Sequence, residues 1–450
     1  MATAAAPTLP PGPKGHFLTG NLGEFHKDVV GFYDKMANEY GDVVTFRLVN
    51  RRMILLSHPD LIEEVFVHKA KHFAKKTHVL HLLWPILGNG LLSSDGDFWL
   101  KQRRLMQPMF SRQQILNYVD SFVEYTQRMV TGWNNGNGID LFQEMTRLTL
   151  EIISKALFDA EITDDANDIG DALTVMMHSF IARWGSVTPP LPLYIPTPAN
   201  IRFARAIKRV DKLIYRFIDD RRASHEQRND LLSVLLRARD EDGSQMTDKQ
   251  LRDEAITLFL AGHETTANTL TFALYLLATH PEAMVKVQQE VDRVVGDRPV
   301  NAEDKQHLTY TESVIKEAMR LYPPAYVVGR VTKTECEIGG YRFPVGTTAL
   351  MSQWVMHRKP EYWDEPDTFR PERWLDGSTD ALHNFAYFPF GGGARLCIGN
   401  HFAMLESIMI LVTIVKHVQG LELKEGFELT LRPVVTLKPE HGIPVIVRKN

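Results

Sequence analysis

A chain of 450 residues, 44% hydrophobic and 24% charged, has the make-up of a soluble globular protein. A net charge of -4, with no Lys/Arg-rich tail, argues against a general nucleic-acid binder. Two cysteines, Cys336 and Cys397, are too few for a disulfide framework or a cysteine-rich zinc site, and they favour a reducing, cytoplasmic compartment.

The opening MATAAAPTLPPGPKG holds neither an apolar run able to span a bilayer nor the basic start of a secretory signal. The chain reads as soluble, or as one whose membrane anchor preceded residue 1. Pro10-Pro11-Gly12-Pro13 makes residues 1–14 a stiff lead-in, because proline fixes φ and removes a donor. Nothing after it resembles a linker, so residues 15–450 read as one domain. Strand-like runs occupy 43–48 and 53–57. From about Pro59 to Pro281 the pattern is mostly helical, broken by a proline-rich loop at 188–198 and a polar connection at 237–245. Gly339-Gly340 between two short runs predicts a hairpin over 335–343, and short β segments follow Leu421. The fold class is mainly α with a smaller β portion.

Four stretches carry chemistry. Near Asp97 a helix begins in which Trp99 and Arg103, four apart, point an indole N–H and a guanidinium the same way. Such a pair suits an anion such as a carboxylate, although an ordinary amphipathic helix would look similar. Thr247 and Gln250 have capping-box spacing at the start of a helix that Pro281 stops. Its middle, AGHETTANT, interrupts apolar flanks with an acid, two hydroxyls and a glycine, which costs roughly 1 kcal/mol in a helix interior. One reading is a solvated face. The other is an interior gap at Ala261 and Gly262, with Thr265 donating a proton and Glu264 relaying one. Glu317 and Arg320 share a helix face, as do Glu144/Arg147 and Glu290/Arg293, so the spacing alone says little. What sets Glu317/Arg320 apart is LYPPAYVVGR immediately after and Cys397 eighty residues on; a further arginine, Arg373, comes in the rigid FRPERW.

The fourth stretch is FGGGARLCIGN, residues 390–400. Its glycines let the backbone crowd around Cys397, and backbone N–H groups together with the following helix N-terminus favour a thiolate. A thiolate there is either a soft metal ligand or a nucleophile. The only local base for the second role is His401.

Phe390 to Gly399 resembles the haem-binding loop of the cytochrome P450 superfamily. Ala261-Gly262-His263-Glu264-Thr265-Thr266 looks like its oxygen-activation helix. Glu317-Ala318-Met319-Arg320 with Pro371-Glu372-Arg373-Trp374 resembles its salt-bridge triad, and Trp99 with Arg103 its haem-propionate helix. These motifs occur in the family's order from about Pro10 onward. The resemblance implies a triangular-prism fold, with haem b between the long central helix and the helix of the cysteine loop. It implies that Cys397 ligates the iron, that Trp99, Arg103, Arg330 and Arg395 bind the propionates, and that Phe390 shields the thiolate beside Gly393 and Gly399. Glu317, Arg320 and Arg373 become a structural lock, and Cys336 an ordinary thiol. Ala261, Gly262, Glu264 and Thr265 become the oxygen-activation site, with the Gly262 gap holding oxygen.

The reaction so implied is O2-dependent monooxygenation of a lipophile, most simply a fatty acid or similar long chain, with a terpenoid or steroid as the alternative. Since the chain ends at Asn450, NAD(P)H electrons are expected from a ferredoxin or flavodoxin with its reductase. Lys101, Arg104 and Arg112 are expected to face that acidic partner. The protein is expected to be a monomer. Family layout puts Leu80, Leu83, Trp84, Leu87, Met177, Phe180, Ala325, Val327, Val328 and Val435 around an apolar pocket, along with Trp184. A peroxide-driven haem-thiolate isomerase or peroxygenase is the rival, and a haem carrier or sensor a more distant one. The intact Glu264-Thr265 pair disfavours both.

Overall fold

The computed structural model describes residues 9–159, 172, 175–183, 191–223, 228, 230–241 and 243–449. Trp184 and part of the proline-rich loop lie outside the described residues. The strands are β1 (Val43–Leu48), β2 (Arg51–Leu56), β3 (Phe73–Ala74), β4 (Gly138–Asp140), β5 (Val328–Thr332) and β6 (Cys336–Ile338). They continue with β7 (Tyr341–Phe343), β8 (Thr348–Met351), β9 (Gly420–Leu423), β10 (Leu431–Pro433), β11 (Leu437–Pro439) and β12 (Pro444–Arg448). The helices that frame the site are α1 (His78–Leu87), α2 (Gly96–Met106), α3 (Leu141–Phe158), α4 (Pro198–Ala223), α5 (Asp248–Thr279), α6 (Thr309–Leu321) and α7 (Asn400–His417).

The main sheet has the order β1-β2-β8-β5-β3, with β2 parallel to β8 and the other pairs antiparallel. Alternate residues of a strand face opposite sides. Val44, Phe46, Leu55 and Leu350 accordingly join one apolar cluster, while Val43, Ile54, Leu56 and Ala349 join another. Both faces are therefore covered, and the same alternation turns Arg330 inward from β5. β6 and β7 form the expected hairpin, with φ of 56° and 78° at Gly339 and Gly340. β10 pairs with β11 in a second hairpin near the C-terminus.

The helical core is built around α5. Its capping box is formed as expected: Thr247 N donates to Gln250 Oε1 at 2.7 Å, and Gln250 N to Thr247 Oγ1 at 3.3 Å. Thirty-two residues later it ends at the His280 cap, and Pro281 starts the next helix. It is buried all round from Leu251 to Phe259 and from Thr266 to Leu274. Among the described residues no helix is long and apolar enough to cross a membrane.

Candidate functional site

The cysteine loop is shaped by its glycines and its neighbours. Gly393 adopts φ +64°, and a Cβ there would lie 2.1 Å from Phe66 O, so the loop can pack against residues 64–68 only without a side chain. Gly399 needs no such freedom: its φ is an ordinary -93° and its surroundings are roomy. It caps α7 two residues after Cys397, so the cysteine lies just before a helix N-terminus, as the sequence predicts. Cys397 N donates to Phe390 O at 3.0 Å, closing the loop with the Phe390 ring part-buried beside it. Arg103 Nη1 donates to Leu396 O at 2.8 Å, tying α2 to the loop.

Cys397 is exposed on the loop, with Lys75 and Arg103 near enough to act on its thiol. Burial raises its thiol pKa, against lowering by the Gly399 N–H, Lys75 and Arg103. The expected thiolate-favouring donors are present. Burial outweighs them in the protein alone, which corrects the sequence-based expectation; a bound cation would reverse the balance. Cys336 is also raised by burial and shares no such setting.

Next to this loop a cavity of about 210 Å³ is lined by Lys75, Asp95, Trp99, Arg330 and Arg395, among others. Arg395 donates to Ser94 O at 2.9 Å and Asp95 Oδ1 at 2.6 Å, and stacks 3.8 Å from the Trp99 ring centre. Arg103 lies over the same ring at 5.9 Å. Arg330 is buried, stacked on Phe66 at 4.9 Å, and its one protein acceptor among the described residues is Gly329 O. Burial, with Arg395 nearby, pushes its pKa down to about 10. Burial, with Arg330 and Arg395 nearby, pushes Lys75 down to about 7. Three cations thus share one acid, Asp95. The donor set is short of negative charge, and a ligand bearing carboxylates beside a metal near Cys397 fits it. Trp99, Arg330 and Arg395 meet as the sequence suggests, with Arg103 adjoining; Lys75 joins them unforeseen, because Lys75-Lys76 looks like any solvated pair.

Across the core, the burial of α5 is interrupted where the sequence turns polar. Ala261 is exposed and 262–265 are half-buried, in the middle of an otherwise buried helix. Thr265 Oγ1 donates to Ala261 O at 2.6 Å. The gap does not belong to Gly262: a Cβ there would meet Ile153 Cδ1 of α3 at 3.1 Å. Its missing side chain lets α3 pack closely, and the open space is at Ala261. Glu264 is ion-paired to Lys438 at 3.4 Å. Thr266 Oγ1 donates to Glu406 Oε2 of α7 at 3.2 Å, which ties the polar turn to the helix of the cysteine loop. Burial raises Glu406 to about 8, so it is neutral at physiological pH.

The Glu317 node is complete. Its carboxylate accepts from Arg320 at 2.8 and 3.0 Å, Arg373 at 3.0 Å, Trp374 Nε1 at 2.9 Å and Arg370 N at 3.1 Å. Remaining guanidinium donors reach the carbonyls of His357, Pro366, Thr368 and Asp364.

The pocket residues divide. Leu83, Leu87 and Phe180 are packed into the core. Leu80, Met177, Ala325, Val327, Val328 and Val435 are part-buried, and Trp84 is exposed. Lys101 and Arg104 do not form a free basic face: they pair with Asp240 at 3.2 and 3.5 Å, and Arg104 also with Glu241 at 3.3 Å. The polar connection predicted over 237–245 supplies these acids. Arg112 remains exposed.

A family profile for cytochrome P450 matches residues 10–442. The chain is 38% identical over 379 residues to a cyclooctatin synthase of Streptomyces melanosporofaciens, covering 83% of this chain and 82% of that one. It is 35% identical, with the same coverage, to a cyclooctat-9-en-7-ol 5-monooxygenase of the same organism. It is 31% identical over 401 residues to a pentalenene oxygenase of Streptomyces avermitilis, covering 89% of this chain and 87% of that one. With its cysteine loop, α5 and Glu317 node in place, the chain belongs to the cytochrome P450 family and is a haem-dependent, O2-using monooxygenase.

Proposed function

We propose that this monooxygenase hydroxylates a cyclic terpenoid, with Cys397 as the haem ligand and Glu264 and Thr265 as the proton path. The substrate class rests on relatives named for cyclooctatin, cyclooctat-9-en-7-ol and pentalenene, each aligned over more than four-fifths of this chain. That moves the preference away from a long-chain fatty acid.

Haem, when bound, would supply the iron that activates O2, and ligation by the Cys397 thiolate would favour O–O cleavage. The protein's own part is to seat, orient and protonate. Trp99, Arg103, Arg330, Arg395 and Lys75 would hold the haem carboxylates, while Phe390 and the glycine loop cover the sulfur. Thr265, now bonded to Ala261 O, would turn its hydroxyl into the open space beside Ala261. Glu264 would pass protons toward it. Apolar side chains such as Leu80, Met177, Val327, Val328 and Val435 would exclude water around the substrate. Electrons would come from NAD(P)H through a separate ferredoxin or flavodoxin and its reductase, to a monomeric one-domain protein.

Titration of the ferric holoenzyme with cyclic terpenes and with C12–C18 fatty acids, followed by turnover with surrogate redox proteins, tests the substrate class. The expected result is a low-to-high spin shift and hydroxylated product with the cyclic terpenes. Shift and product with the fatty acids alone would overturn it.

A further inference from the structure

The acid of the proposed proton path has a partner from a distant part of the chain. Lys438 Nζ lies 3.4 Å from Glu264 Oε1, and both side chains are about one-fifth exposed (20% and 18%). Two residues earlier, Thr436 Oγ1 accepts from Asn268 Nδ2 at 3.2 Å, with both residues buried. Glu264 and Asn268 are four apart on α5, so they lie on one face, about 6 Å apart along the axis. Thr436 closes the hairpin bend and Lys438 lies two residues on in β11, a spacing of at most about 6.6 Å in extended backbone. The two spacings match. The β10–β11 hairpin is thus laid along α5 and fastened at both ends of the turn that carries Thr265.

The hairpin is also held from outside α5. Tyr326 Oη donates to Val434 O at 2.8 Å, and Leu437 N donates to Pro324 O at 2.9 Å. Lys438 is consequently carried on a fixed strand, opposite Arg432 in the hairpin register. In a part-buried setting salt screens such a pair weakly, so the ammonium governs where the carboxylate resides.

We propose that Lys438 is a positioning residue for proton delivery: it holds the Glu264 carboxylate at the hairpin edge, between solvent and the turn bearing Thr265. This rests on the reading of Glu264 as proton carrier. Without the ammonium the carboxylate samples other rotamers, protons arrive late, and reducing equivalents leave as peroxide.

The test uses the holoenzyme with a substrate found in the titration above, after haem content and the ferrous–CO spectrum of each variant are matched to wild type. Lys438→Met should lower product formed per NAD(P)H by roughly threefold to tenfold and raise peroxide correspondingly. It should also enlarge the solvent isotope effect, and Lys438→Arg should restore coupling. Glu264→Gln should uncouple at least as strongly, and adding Lys438→Met to it should change nothing further. Thr436→Val serves as a structural control: deuterium exchange over 434–440 should quicken in the ferric protein, with a smaller loss of coupling. Uncoupling by Glu264→Gln but not by Lys438→Met would overturn the role of Lys438 alone. Equal losses in Thr436→Val and Lys438→Met would assign the effect to hairpin packing and also overturn it. Normal coupling in Glu264→Gln would sink the proton-path reading and this inference with it.

Discussion

Two clusters of charge, one fully buried at Glu317 and one lining the cavity beside the cysteine loop, solve their electrostatics in opposite ways. At Glu317 one carboxylate meets two guanidiniums, an indole N–H and a backbone N–H, and the spare donors end on carbonyls. In the cavity, Lys75, Arg330 and Arg395 share Asp95, and all three cations have pKa values lowered by burial. A cluster that closes its own charge serves the fold. One that leaves positive charge open suits an anion that arrives from outside, and the proposed function assigns that place to the haem carboxylates.

The comparison is broken most severely at Glu317. Glu317→Ala strands two fully buried guanidiniums and should cost about 3–5 kcal/mol, seen as loss of soluble protein or a sharp fall in denaturation midpoint. The cavity should respond with the opposite split. Arg330→Met should weaken haem retention by about tenfold to a hundredfold, the equivalent of one charge-assisted hydrogen bond, read as haem transfer to apomyoglobin. The haem-free protein should be no less stable, because a crowded cation has been removed. A fall in apoprotein stability matching that of Glu317→Ala would erase the distinction between the clusters.

A gentler test concerns buried carboxyls that have no cation to close on among the described residues. Glu406 is raised from 4.5 to about 8 by burial, as is Glu254, which accepts from Leu91 N at 2.8 Å. The folded state therefore holds these protons more tightly than the unfolded chain. Their contribution is full below about 4.5 and is lost as pH rises through about 8, with a slope of up to about 1.4 kcal/mol per pH unit for each group. Glu406→Gln should remove one share of that slope. Urea denaturation at pH 4 and pH 9 measures it: the variant should be near wild type at the lower pH, where folded and unfolded chains both hold the proton, and the more stable at the higher.

What was legible in the sequence was local or motif-like. The capping box of α5, the Gly339-Gly340 hairpin and the cysteine loop each fit within a dozen residues, so spacing alone exposed them. Partnerships across the chain were not legible. Lys438 meets Glu264 from 174 positions away, and Lys75 gains its setting from Arg330 and Arg395. Glu406 left a faint trace, a single acid in the apolar run of α7, and a buried acid in such a run needs a partner. Gly262 misled because a helix glycine serves close packing as readily as an open gap, and only the position of Ile153 decides between them. Lys101 and Arg104 misled because their neutralising acids sit in the 237–245 connection.

The central claim is that Cys397 is the haem ligand and that everything around it is arranged for that bond. The ferrous–CO spectrum of Cys397→Ser tests this most directly. The wild-type protein should show the red-shifted Soret band of a thiolate complex, and the serine variant should lose it while its fold, read by circular dichroism, is kept. A red-shifted band that survives in the serine variant would contradict the account.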